Sequence, residues 1–181
     1  VMVDETYIEF SKRQQDLEGI TLTKKYSNLI VLRGVSKFFA SPGLRLGYAV
    51  LHSKEQKEAI LSQKNPWGIN SVAEAAGLCM FQDTQYIENT KEYILKEALR
   101  LQKQLECFPS LKVYPTDSNF FLVKLVNTTL SSREIFAHCA KKGLMLRDCS
   151  SFYGLKNSYI RICVMKKEDN DRLIAALKEI L

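Results

Sequence analysis

Gly34-Val35-Ser36-Lys37-Phe38-Phe39-Ala40-Ser41-Pro42-Gly43-Leu44-Arg45-Leu46-Gly47-Tyr48 is the stretch on which the reading turns. It lies between two apolar runs, Leu29-Ile30-Val31-Leu32 and Gly47-Tyr48-Ala49-Val50-Leu51. Such runs become buried parallel strands. Lys37 follows the first and runs straight into two phenylalanines, a setting that partly desolvates an amine and lowers its pKa. Arg45 sits between two glycines, which let backbone and ligand approach closely. Ser36 puts a hydroxyl beside the lysine. A nucleophilic amine with a hydroxyl and a guanidinium nearby suits an aldehyde that carries a phosphate: the amine forms an imine, and the other two groups hold the phosphate.

Upstream, Val1-Met2-Val3-Asp4 reads as a buried strand that ends in an acid. A carboxylate at a strand's C-terminal edge can pair with a protonated pyridine nitrogen and keep the ring an electron sink. The phenol of Tyr7 is placed to reach a ring hydroxyl. A chain rarely begins inside a core strand, and this one shows no charged n-region or apolar h-region at its start. The expectation is therefore the C-terminal part of a longer protein; a small protein whose first strand starts at once is the alternative.

Downstream, strands and helices alternate. Residues 9–25 are charged and read as exposed, helical or irregular. Ser53 caps a helix over residues 55–63, Pro66-Trp67-Gly68 breaks the chain, and Asn70-Ser71 caps a small-residue helix over 72–81. A long helix is expected over 84–107, with Ile87, Ile94, Ala98, Leu101 and Leu105 on one face. Strands follow at 111–114 and 120–126, then a helix capped by Ser131-Ser132 and ended by Gly143. Strands at 144–147 and 159–164 and an amphipathic helix over 167–181 complete the chain. The pattern is α/β in front and α+β behind, with the boundary near residue 83, giving domains 1–83 and 84–181.

Composition narrows the function classes. The 181 residues are 46% hydrophobic and 25% charged, which excludes a disordered or collagen-like chain. No apolar run nears the roughly 20 residues of a membrane-spanning helix. Twenty-six basic against 20 acidic residues leave +6, too mild and too evenly spread for a nucleic-acid signature, though welcoming to an anionic ligand. Cys79, Cys107, Cys139, Cys149 and Cys163 form no close pair and read as free thiols of a reducing compartment. Only His52 and His138 are present, which argues against a metal site or a His-based triad.

Four pieces in register carry a resemblance: Asp4-Glu5-Thr6-Tyr7, Ser36-Lys37, Pro42-Gly43-Leu44-Arg45-Leu46-Gly47-Tyr48 and Tyr159-Ile160-Arg161-Ile162. The chain resembles fold-type I pyridoxal-phosphate enzymes, specifically the histidinol-phosphate aminotransferase group with its related threonine-phosphate decarboxylases. Order and spacing agree over essentially the whole chain. The resemblance implies the C-terminal portion of the cofactor-binding large domain, with a mostly parallel sheet and helices, in residues 1–83. It implies a smaller α+β domain, entered by a long helix, in 84–181. The implied cofactor is pyridoxal 5'-phosphate. Lys37 matches the residue that links to it and shuttles the proton at the substrate Cα. Asp4 matches the partner of the pyridinium and Tyr7 the residue that contacts the ring oxygen. Ser36 and Arg45 match phosphate ligands, and Arg161 matches the arginine that takes the substrate carboxylate.

The implied reaction moves an amino group between an amino acid or amino-alcohol phosphate and a 2-oxo acid, in a cytoplasmic homodimer that binds neither nucleic acid nor membrane. Two departures stand out. Relatives commonly carry a hydroxyl three residues before the lysine, where this chain has Gly34. The family's N-terminal half is missing, so the isolated chain is expected to be inactive, with apolar surface bare around Val1–Val3 and Leu29–Leu32.

Several residues keep a plainer alternative. Arg161 alternates with Ile160 and Ile162, as an outward charge on a half-buried strand does. Tyr7 can simply pack, and Asn119 is a turn residue as readily as a substrate contact. Arg147, in Arg147-Asp148-Cys149-Ser150-Ser151-Phe152, looks more like the decarboxylase branch. A second arginine there suits a substrate bearing phosphate as well as carboxylate; a salt bridge to Asp148 or solvation competes. The functional alternatives are a threonine-phosphate decarboxylase-like lyase and a non-catalytic interaction module.

Overall fold

A computed structural model describes residues 1–181. Contacts divide the chain into two units, Val1–Lys91 and Glu92–Leu181, and the division falls inside one continuous helix.

The first unit is built on a three-stranded sheet of β1 (Met2–Asp4), β2 (Ile30–Gly34) and β3 (Gly47–Val50), in that order. β1 runs parallel to β2, with Met2 opposite Ile30 and Asp4 opposite Leu32. The crossover between them holds two 3-10 turns, Ile8–Phe10 and Thr21–Lys24, and the short α1 (Gln14–Leu17). β3 is antiparallel to β2, which corrects the expectation of a third parallel strand. The cause is local: the Val35 amide donates to the Leu46 carbonyl at 3.2 Å, so the loop 35–46 closes on itself and returns the chain along the same edge.

All three residues of β1 are exposed, as expected of the apolar surface around Val1–Val3 in this chain. Nothing in this chain covers its faces: Val1 is 78% and Met2 65% exposed. Leu29 and Val31, by contrast, are buried rather than bare. The unit's core is small, with Phe10, Leu29, Val31, Val35, Phe38 and Ala73 buried, and aromatic contacts extend from it. Phe10 and Phe38 lie 5.3 Å apart, and Phe39 stacks on Tyr86 at 5.6 Å between centroids. α2 (Lys54–Gln63) is capped by Ser53, which accepts from the Gln56 amide, and buries no residue. α3 (Ser71–Gln82) is capped by Asn70, which accepts from the Ala73 amide at 2.8 Å. A side chain at Gly77 on α3 would meet Leu46 Cδ2 at 2.7 Å, so the Leu46 side chain would have to shift to admit it. Trp67, between the two helices, stands 89% exposed.

The second unit continues α4 (Thr84–Leu105), whose Leu101 and Leu105 are fully buried with Ile94 and Ala98 packed beside them. Its sheet is wholly antiparallel, in the order β4 (Leu111–Val113), β5 (Phe120–Leu125), β7 (Tyr159–Cys163), β6 (Arg147–Asp148). Alternation does the sorting: Phe121, Val123, Ile160 and Ile162 point to the core. α5 (Ser132–Lys141) opens on a reciprocal cap between Ser131 and Glu134. Gly143, at φ +74°, ends it in the left-handed conformation expected of a C-terminal glycine. Strand β6 is shorter than the 144–147 expected, because the Leu144 amide still donates to Cys139 of the helix and the chain joins the sheet late. α6 (Lys167–Ile180) buries Leu173, Ile174 and Leu177. Beneath it Glu97 accepts from Arg100 Nη2 at 2.6 Å and from Asn170 Nδ2 at 2.8 Å. No helix is long and apolar enough to cross a membrane.

Candidate active site

Parallel strands leave their carboxyl ends on one side of a sheet, where open α/β sheets bind ligands. In the first unit that side carries Asp4, Tyr7, Ser36 and Lys37. Asp4 closes β1 and is pinned by Thr6, whose amide donates to Oδ1 at 2.9 Å and whose hydroxyl donates to the same oxygen. These bonds, the hydroxyl's first, hold the Asp4 carboxyl below the ordinary carboxylate range, so it is an anion at neutral pH. Lys37 leaves β2 through a turn closed by the Ala40 amide on its carbonyl at 3.0 Å. Its Nζ stands 5.7 Å from the centroid of the Tyr7 ring, within cation–π range. The phenylalanines do not desolvate it as expected: Phe38 turns into the core at 2% exposure, and Lys37 points out and is exposed. Ser36 is half-buried.

Arg45 stands apart from those four in its bonding. It ends the 3-10 turn Pro42–Leu44 at φ 54°, and its Nη1 donates to the Pro42 carbonyl of the same turn at 3.0 Å. Ala40, at φ 49°, is also left-handed. A residue with a Cβ pays about 1–2 kcal/mol for that conformation, and two of them around one loop mark it as shaped for more than connection. Arg45 also lines a cavity of about 670 Å³ with Tyr48, Lys57 and Lys64. Gly34 faces Gly47 across β2 and β3, and a Cβ on it would sit 3.3 Å from the Leu46 carbonyl.

Two features escaped the sequence reading. One is Thr6; its signal was a hydroxyl residue two places after an acid, the spacing of a local side-chain turn. The other is a buried ion network. Glu5 Oε2 accepts from Arg33 Nε at 3.0 Å and Nη2 at 2.8 Å, and Nη2 also reaches Glu18 Oε2 at 2.9 Å. The Arg33 and Glu5 side chains are 8% and 5% exposed. Arg33's bond holds the Glu18 carboxyl below its usual range. The nearby Glu9 is pushed the other way by burial, and its Oε2 has no partner.

In the second unit Arg147 of β6 lies directly opposite Arg161 of β7. Arg161 sets its guanidinium carbon 5.0 Å from the Phe120 ring centroid, and its Nε is buried without a partner. Arg147 is exposed, lies 5.4 Å over Phe152 and donates to Ser151 Oγ at 3.2 Å. The alternative of a bridge to Asp148 is not what forms: Asp148 accepts from Ser132 Oγ at 2.7 Å and from the Ser150 amide and hydroxyl at 2.9 Å each. Asn119 is half-buried; its carbonyl accepts from the Val164 amide, and its Oδ1 from Ser118 at 3.4 Å. Burial pushes the Cys149 thiol up, which makes it a poor nucleophile.

Residues 1–177 match the family described as aminotransferase class I and II. The chain is 42% identical over 180 residues to histidinol-phosphate aminotransferase 2 of Archaeoglobus fulgidus, covering 99% of this chain and 49% of that protein. Among solved structures, the histidinol-phosphate aminotransferase of Clostridium acetobutylicum superposes with a TM-score of 0.93 at 33% identity, over 99% of this chain and 53% of that one. The L-threonine-O-3-phosphate decarboxylase of Porphyromonas gingivalis does so at 0.86 and 25% identity, over 98% and 54%. The chain spans about half the length of the curated relatives it matches.

Proposed function

The chain belongs to the aminotransferase class I and II family, and on that premise we propose that the protein it represents transfers an amino group between an amino acid or amino-alcohol phosphate, of the histidinol-phosphate kind, and a 2-oxo acid. The family's cofactor is pyridoxal 5'-phosphate. We read residues 1–83 as the C-terminal portion of the large, cofactor-binding domain and 84–181 as the small domain, in a cytoplasmic homodimer.

The observation that carries this reading is the edge formed by β1 and β2, where an ionised carboxylate and a solvent-accessible amine share one side with a phenol ring beneath the amine. Those groups fit the cofactor's donor demands. When bound, the cofactor supplies an aldehyde that captures amines and a pyridine ring that withdraws electrons. Lys37 would hold it through Nζ and move the proton at the substrate Cα. Asp4 would keep the ring nitrogen protonated, and Thr6 keeps Asp4 ionised for that task. Tyr7 packs its ring beside Lys37 and would offer its hydroxyl to the ring oxygen. Ser36 and Arg45 would be the phosphate ligands; Arg45 gives Nη1 to the Pro42 carbonyl and keeps further guanidinium donors for an anion.

Arg161 and Arg147 would bind the substrate's two anionic ends. Arg161 has an unused buried donor, and facing like charges on adjacent strands are unfavourable until an anion lies between them. We read Asn119 as a lesser substrate contact. The same pair of arginines favours a second reading, a threonine-phosphate decarboxylase-like lyase, because the way they would orient the substrate decides which of its bonds is placed to break.

Adding pyridoxal phosphate to the chain, reducing with borohydride and mapping the adduct by mass spectrometry tests the site. One adduct on Lys37 that vanishes in Lys37→Ala is expected; adducts scattered over exposed lysines overturn the assignment for this chain. On the full-length protein, formation of a 2-oxo acid from a phosphorylated amino acid separates transamination from release of carbon dioxide.

A further inference from the structure

The pairing of β1 with β2 sets Asp4 opposite Leu32, and the placing of Asp4 and Tyr7 relative to Lys37 depends on that register. A slip of one residue would turn Asp4 to the opposite face, and a slip of two would carry it roughly 6.6 Å along the sheet, at about 3.3 Å per residue. Either slip would part Asp4 and Tyr7 from Lys37.

The Glu5–Arg33–Glu18 network opposes such slips. Glu5 follows Asp4, and its amide extends the ladder by donating to the Leu32 carbonyl at 2.8 Å. Its carboxylate receives the Arg33 fork through two nitrogens and also accepts from the Gly19 amide. A Cβ at Gly19 would come within 3.2 Å of that carboxylate, so the glycine permits the approach. Arg33 lies on β2, four residues before Lys37, and faces Tyr48 across β3, three residues after Arg45. Glu18, just after α1, ties the crossover to the same guanidinium. Buried ion pairs are best attested as devices that select a register, and a two-pronged fork is more directional than a point charge.

We infer that Arg33 is a positioning residue: with Glu5 and Glu18 it locks the register of β1 on β2 and so holds Asp4 and Tyr7 in place against Lys37. The inference rests on the functional reading above for its purpose, though not for its geometry.

The test uses the chain with its lysines reductively methylated with carbon-13. The Lys37 signal, assigned by its loss in Lys37→Arg, is displaced in the wild type by the Tyr7 ring current, and Tyr7→Leu removes the displacement. In Arg33→Met the Lys37 signal moves to the position of a free lysine, while the methyl signals of Leu101 and Ile160 stay in place. Arg33→Lys keeps the charge without the fork and gives the same loss. Should Arg33→Met fail to fold, Arg33→Lys decides. A Lys37 signal that stays displaced in Arg33→Lys overturns the inference, because charge alone then suffices. In the pyridoxal-phosphate labelling experiment, Arg33→Lys should cut the Lys37 share of adduct by about tenfold or more. If the wild type labels no lysine selectively while its Lys37 signal still collapses in Arg33→Lys, the functional reading falls and the register lock stands.

Discussion

Replacing Arg161 by methionine should stabilise the ligand-free chain and remove its hold on anions. The buried Nε makes no hydrogen bond, and an unsatisfied buried donor costs about 1–3 kcal/mol. Arg147 faces Arg161 across the strand pair, and relieving like charges at that position returns about 0.2–1 kcal/mol. Against these stands the guanidinium lying 5.0 Å from the Phe120 centroid, a contact worth about 0.5–1 kcal/mol. Methionine keeps the length and flexibility of the side chain, so little cavity is left. The balance is a gain of roughly 1–2 kcal/mol. For a unit the size of Glu92–Leu181 that corresponds to a melting midpoint about 5–10 °C higher. Calorimetry in phosphate-free, low-salt buffer measures it. With O-phosphoserine as a probe carrying both anions, the order should reverse. The wild type gains about 2.7 kcal/mol when the probe is at a hundred times its Kd, and Arg161→Met gains nothing. A lower midpoint for the variant without probe would refute the reasoning, because it would mean that the arginine already has the partners it needs.

Three further outcomes follow from the same geometry. Gly34→Ser should lower stability by about 1 kcal/mol, since its Cβ meets the Leu46 carbonyl at 3.3 Å, yet tighten pyridoxal-phosphate binding in a spectroscopic titration by restoring a hydroxyl. Arg100→Met strips the two-pronged partner from buried Glu97 and should cost roughly 2–3 kcal/mol at pH 7, less than a fully buried pair because Arg100 is partly exposed. Arg100's bond holds the Glu97 carboxyl down, so this stability is complete above the unfolded value near pH 4.3 and lost as pH falls through the folded one; urea titrations should find the gap closing in acid. Glu9→Gln should stabilise at pH 7, because burial raises the Glu9 carboxyl: the wild type loses stability as pH rises through that raised value, and the gain should vanish below the unfolded one.

Local chemistry was the most legible layer of this fold. Ser53, Asn70 and Ser131 announce three helix starts within one turn of where they occur, and Gly143 announces an end. What a short apolar run cannot convey is its direction or its cover. Gly47–Val50 reads the same as a parallel or an antiparallel strand, and only the Val35–Leu46 bond decides. Val1–Val3 reads as core because it is apolar, but exposure depends on what lies over it. Lys37 shows a related limit: neighbouring phenylalanines suggest desolvation until the turn sends Phe38 inward and the lysine out. Glu5 and Arg33 lie 28 residues apart, and no local pattern joins them. The facing of Arg147 and Arg161 depends likewise on a strand register set by the whole second unit.

Trp67 gives the chain an optical property that follows from its position. It is the sole tryptophan, it stands 89% exposed, and Leu61, Ile69 and Val72, near it in sequence, are exposed as well. Its indole is already in water, so emission should be red-shifted and quenched by iodide in the folded and unfolded chain alike. Unfolding will pass almost unseen by fluorescence. Any body that settles on this surface will do the opposite, moving the emission to the blue and shielding it from quencher, and will report its own arrival without a label.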